Sequence, residues 1–151
     1  MEKNLLGAKA AVAAAVSAAC AFLGWKGIMA LCWFTVMALD YISGTAAACK
    51  GGNWSSQAAR EGLWHKCGMI FAVAVAGIAD GIMALIVGNI PAIGMEWPGL
   101  ILPLVLAWYI LTELGSILEN AVKMGAAVPS WLTKLLKAGK EAVDQGGSKT
   151  V

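Results

Sequence analysis

LILPLVLAWYILTELGSILENAV, residues 100–122, is long and apolar enough to be a membrane-crossing helix, yet it carries Glu113, Glu119 and Asn120. About 20 apolar residues suffice to cross ~30 Å of hydrocarbon as a helix. A charge placed well inside such a helix costs about 2.5–3.5 kcal/mol, so it needs a partner, water or a neutralising proton. Glu113 precedes Lys123 by ten residues, which puts it roughly 15 Å from that end at 1.5 Å per residue. Glu119 lies near the end, within i+4 reach of Lys123.

Three more apolar runs precede this one, at residues 8–23, 27–48 and 67–87. Hydrophobic residues make up 60% of the 151 and charged residues only 13%. Soluble domains average about 45–50% apolar and about 25% charged. The expected fold is an all-α integral membrane protein with three or four transmembrane helices. Residues 1–125 form the transmembrane domain, and 126–151 form an amphipathic interfacial helix with a polar cytoplasmic tail. The first run is the doubtful span, being short and Ala-rich, with Lys9 and Ser17 in it. It imitates a signal peptide, but another apolar run follows at once, so it reads as a retained segment.

Basic residues orient the chain. With four spans and both termini in the cytoplasm, Lys26 is the one basic residue of 11 left outside. The positive-inside rule favours that arrangement. Gly24 to Gly27 reads as a tight helix–helix turn, residues 50–66 as an inner loop with a short helix capped by Ser55 or Ser56, and residues 89–98 as an outer loop. Trp25, Trp64 and Trp97 suit the interfacial aromatic belt. Pro129 is expected to end the last span. Beyond it, Trp131, Leu132, Leu135, Leu136 and Val143 share one broad face, and Lys134, Lys137, Lys140 and Glu141 lie mostly on the other. That pattern fits a helix on an anionic inner leaflet, with Trp131, Lys134, Lys137 and Lys140 touching lipid. Residues 145–151 are polar and expected to be disordered.

Four acids fall within the long spans: Asp40, Asp80, Glu113 and Glu119. Asp40 is roughly 12 Å in from the inner end of its run, level with Glu113, and Asp80 is somewhat deeper. Each acid shares a helix face with small or polar residues. Asp40 goes with Ser43, Gly44 and Ala47; Asp80 with Gly68, Ala72 and Ala76; Glu113 with Ser116, Asn120 and Lys123. Small residues let helices approach, and polar ones bond across the contact. Three readings stay open for Asp40, Ser43, Gly44, Asp80, Glu113, Ser116 and Asn120: bonding between helices, lining of an aqueous lesion or oligomer seam, or a proton relay.

Catalysis is not expected, since no GxSxG or HExxH motif occurs and His65 is the single histidine. Cys20, Cys32, Cys49 and Cys67 form no CxxC pair and match no metal or redox spacing, so no cofactor or metal is expected. No dense basic patch points to nucleic acid.

The order of the motifs resembles a known family. DYISG (40–44) is followed by SSQAAREGLWHK (55–66), an apolar run with the single Asp80, and then YILTELGSILENAVKMGAAVPSWL (109–132). This resembles the phage holins grouped with clostridial toxin-secretion holins. Glu113, Ser116, Ile117, Glu119, Asn120, Gly125 and Pro129 form the most telling block. The resemblance implies a non-enzymatic lysis protein of the bacterial cytoplasmic membrane. Such a protein forms homo-oligomers among membrane lipids and opens lesions that release an endolysin, without direct contact, or a toxin. The alternative is a small proton- or cation-coupled transporter or channel subunit.

Overall fold

The computed structural model describes residues 2–90 and 94–149, with few side chains described before Gly24. It contains four helices and no strand among the described residues: α1 (Glu2–Lys50), α2 (Ser56–Asn89), α3 (Ile101–Lys123) and α4 (Ser130–Lys149). Among the described residues, three stretches are long and apolar enough to cross a membrane: Gly24–Lys50, Ser56–Asn89 and Ile101–Lys123. The protein is therefore all-α with at least that many membrane-length helices. Whether residues 8–23 also cross turns on side chains outside the described residues.

The expected turn at Gly24 to Gly27 is a single broken residue. Gly24 adopts φ 63° and ψ −168°, and helical structure continues on either side of it. Side chains rarely tolerate that positive φ, and glycine does so freely. The expected inner loop is mostly helix. The Ser55 hydroxyl caps α2 by accepting from the Ala58 N–H at 3.1 Å, as expected, but the helix then runs on unbroken for 34 residues. At ~1.5 Å per residue that is about 50 Å, longer than ~30 Å of hydrocarbon. Its first turns, with Gln57, Arg60 and Glu61, therefore extend past the apolar layer.

Gly125, not Pro129, ends α3. Gly125 takes φ 93° and donates its N–H to the Val122 carbonyl at 2.8 Å, while Ala126 reaches Ala121 at 3.0 Å. Pro129 instead precedes the first turn of α4. The residues from Gln145 to Lys149, expected to be disordered, complete α4.

α3 is the hub. It packs on α1, α2 and α4, whereas α1 and α2 barely touch. The core is one thin layer of Trp33, Met37, Met69 and Leu106, with Tyr109, Val73 and Leu102 against it. Outward from it, Phe34, Leu39, Ile42, Phe71, Val75 and Ile78 are exposed. A water-soluble protein rarely exposes so much contiguous apolar surface. Surrounded by lipid, such helices gain little from burying leucine and associate through close packing and polar bonds instead.

Close packing is visible where α1 meets α3. A Cβ added at Gly44 would lie 3.4 Å from the Asn120 amide nitrogen. A methyl group fits that gap with a small shift, and a branched side chain does not. Gly44→Ala should therefore be tolerated, while Gly44→Leu should pry α1 from α3 and lower the detergent concentration at which the bundle unfolds. Equal resistance of both variants would mean that the helices do not meet here.

Candidate functional site

The polar residues gather at two levels of the bundle. At the first, Lys66 of α2 reaches between α1 and α3. Its Nζ donates to Asp40 Oδ2 at 2.9 Å and to Glu113 Oε2. Lys66 and Glu113 are buried and Asp40 is half-buried. Asn120 extends the cluster. Its amide nitrogen donates to Asp40 Oδ1 at 3.2 Å and to Ser43 Oγ at 3.1 Å, and Ser43 donates to the Asp40 carbonyl at 3.0 Å. Gly44 gives Asn120 room. Ser116 stays out of the cluster, and its hydroxyl bonds back to the Thr112 carbonyl at 3.3 Å on its own helix. Glu119 and Lys123 border a groove beside α4, and no ion pair joins them among the described residues.

The arrangement follows from charge in an apolar layer. One ammonium between two carboxylates answers part of the charge that each would otherwise expose to hydrocarbon. The remaining carboxylate oxygen of Asp40 is taken up by the Asn120 amide. Removing one member of such a buried group leaves an uncompensated charge, which is far costlier than losing a surface pair.

The second level is at the other end of α3. Asp80, expected deep in its span, caps α3 from α2. Asp80 Oδ1 accepts from the Ile101 N–H at 3.0 Å and from Trp97 Nε1 at 3.1 Å, and Oδ2 accepts from the Leu102 N–H at 3.0 Å. Leu100, at the helix entrance, offers no side-chain cap of its own. The first amides of a helix lack partners within it, and a carboxylate there also meets the positive end of its dipole. Lys26 approaches Asp80 at 3.9 Å and lies over Gly99, which has φ 68°. A side chain at position 99 would collide with that ammonium.

The opposite end of α3 is met by Lys50 of α1, which donates to the Met124 carbonyl. α3 thus has a carboxylate at its N-terminus and an ammonium at its C-terminus, both from other helices. Each matches the sign of the local dipole.

Trp131, Lys134 and Lys137 are exposed on α4, and Lys140 lies 4.0 Å over the Trp108 ring. Cys32 and Cys49 are free and exposed, Cys67 is free and half-buried, and the Cys20 side chain lies outside the described residues.

The bacteriophage holin family model matches residues 17–141, most of the chain and all of the two polar levels. The chain belongs to the bacteriophage holin family. An uncharacterized protein of Halalkalibacterium halodurans is 33% identical over 125 residues, covering 82% of this chain and 87% of that protein. No solved structure matches.

In this holin-family chain, reading the sequence missed the role of Lys66, which looked like a loop cation at the inner surface. The signal was its register. Lys66, Met69, Val73, Ala76 and Asp80 recur at the spacing of a single helix face, and four of them are buried with Val73 packed alongside. Gly68, placed on that face from sequence, is exposed.

Lys66→Met should cost about 3–5 kcal/mol of stability by stranding two carboxylates. It would be read as earlier unfolding in detergent, and adding Asp40→Asn with Glu113→Gln should restore most of it. A harmless single substitution would disprove the buried triad. Asp80→Ala should cost about 1–2 kcal/mol, the value of a lost cap, and should speed hydrogen exchange at the Ile101 and Leu102 amides more than elsewhere in α3.

Proposed function

We propose that this protein is a holin in the working sense: it accumulates in the bacterial cytoplasmic membrane, assembles with copies of itself, and opens lesions. Those lesions pass an endolysin to the cell wall, or release another large cargo. Membership of the holin family over residues 17–141 carries this reading. Two physical features support it. The described helices give the protomer a largely apolar outer surface suited to lipid. The protomer also gives its buried charged groups partners of its own, so it can build up without leaking before it assembles.

The orientation follows from charge. The end bearing Lys50, Arg60 and Lys123 faces the cytoplasm, and the end bearing Lys26 faces outward. The endolysin is a partner in the process and not in a complex, because the lesion needs only to let it through.

The transporter reading needs an intramembrane carboxylate that is free to bind and release an ion. Asp40, Glu113 and Asp80 are each engaged by an ammonium or by backbone amides, which weighs against it.

Induced expression in a bacterium separates the two. A holin should leave growth and membrane potential unchanged until a threshold, then collapse the potential abruptly, with lysis when a cell-wall hydrolase is co-expressed. Graded, ion-selective flux at low expression without killing would overturn the proposal.

A further inference from the structure

α4 poses the sharpest problem in the molecule. It does not lie away from the bundle but folds back along α3. A groove between the two is bordered by Val122 and Glu119 on α3, by Val128 in the connection, and by Thr133, Lys137 and Lys140 on α4. Further along, a Cβ at Gly139 would lie 3.4 Å from a Leu111 methyl, and Lys140 covers Trp108. The two helices are therefore antiparallel. By Lys140, α4 has climbed roughly 20 Å back from the end of α3, at 1.5 Å per residue. It then continues to Lys149, so its length of about 30 Å matches the apolar layer.

Its two sides differ in chemistry. Leu132, Leu136, Gly139, Val143 and Gly146 are half-buried on the α3 side. The small residues there allow close approach. Lys134, Glu141, Asp144 and Ser148 recur at helical spacing away from that side, and all are exposed, while Lys137 borders the groove toward α3. Beside α3, that stripe of both signs would have to face hydrocarbon in a lone protomer, where charge is expensive. It is stable there only against water.

We infer that in the assembled lesion α4 crosses the membrane alongside α3, and that its charged stripe lines the water, with further copies of this chain closing the ring. This rests on the lesion-forming reading above. Asp40, Glu113 and Asp80 are spent on Lys66 and on the α3 N-terminus, while the exposed charges of α4 form a continuous stripe, with Glu119 of α3 beside the groove at its foot. Trp131 and Leu135, exposed near the start of α4, then lie at the inner interface. The C-terminus reaches the outer side, contrary to the expectation from charge.

The test uses the full chain in lipid vesicles holding a dye, with its four cysteines replaced by alanine and with Leu111→Cys and Gly139→Cys added. A short thiol-to-thiol crosslinker then ties α4 to α3. Dye release should survive crosslinking without loss. Release that disappears on crosslinking, while the untied protein still releases dye, would show that α4 must leave α3 and would overturn the inference alone. If the natural chain releases no dye, the lesion reading fails and the inference with it. In active vesicles, nitroxides at positions 141, 144 and 148 should be relaxed by a water-soluble nickel complex. Nitroxides at Leu39 and Phe71, exposed on the lipid side, should be relaxed by oxygen instead. Oxygen-relaxed labels on the α4 stripe would refute the lining role even if dye release persists.

Discussion

A charge in hydrocarbon must find its answer within its own protein, and Lys66 is where this chain meets that requirement. Its ammonium joins α2 to Asp40 of α1 and Glu113 of α3, so that side chains of three helices bond together there. α1 and α2 have little direct packing, so their relative position depends on what both share with α3, on this lysine and on the Lys26–Asp80 pair. In lipid, apolar side chains do not drive helices together, because lipid is as apolar as they are. The polar contacts therefore set register, and the small core fills in around them.

The same constraint explains the hub. α3 makes its membrane passage with both ends satisfied by neighbours, Asp80 at the first amides and Lys50 at the last carbonyls. On α1, α2 and α3 the two polar levels are separated by similar lengths of helix, roughly 20 Å at the usual rise. Trp33, Met37, Met69 and Leu106 occupy the interval. Among the described residues, an apolar layer thus separates two ionic clasps.

Much of this was legible in the sequence, for reasons that differ by residue. The helices followed from length and apolar runs. The similar depth of Asp40 and Glu113 on two helices was legible, whereas Asn120, seven residues nearer the end of α3, gave no sign that it meets Asp40. Lys66 was hidden because it lies at the end of an apolar run, where a lysine ordinarily extends to water. Only its register with Asp80 showed that it faces inward. Asp80 was misjudged because depth was counted from the inner end. Its partner is the entrance of the next helix, and no local pattern announces a cap supplied by another segment. The long α2 was read as a loop and a span, because Gly62 and the polar residues before it mask a helix whose cap at Ser55 was nonetheless plain. The course of α4 was the least readable: its face of leucine and valine fits lipid and fits α3 equally well, and only the contacts at Gly139 and Lys140 separate them.

What distinguishes the two polar sets is whether their charged groups already have partners within the protomer. The clasps at Lys66 and Asp80 are closed, so opening them would expose charge with no gain until water arrives. The α4 stripe is open, and water is the partner that its mixed signs accept most readily. Assembly that brings several α4 helices around one volume turns an unfavourable lipid contact into a hydrated one, while the clasps stay shut. A lesion built this way needs no rupture of the protomer, and its wall gains more from each added copy than a lone helix can gain by itself.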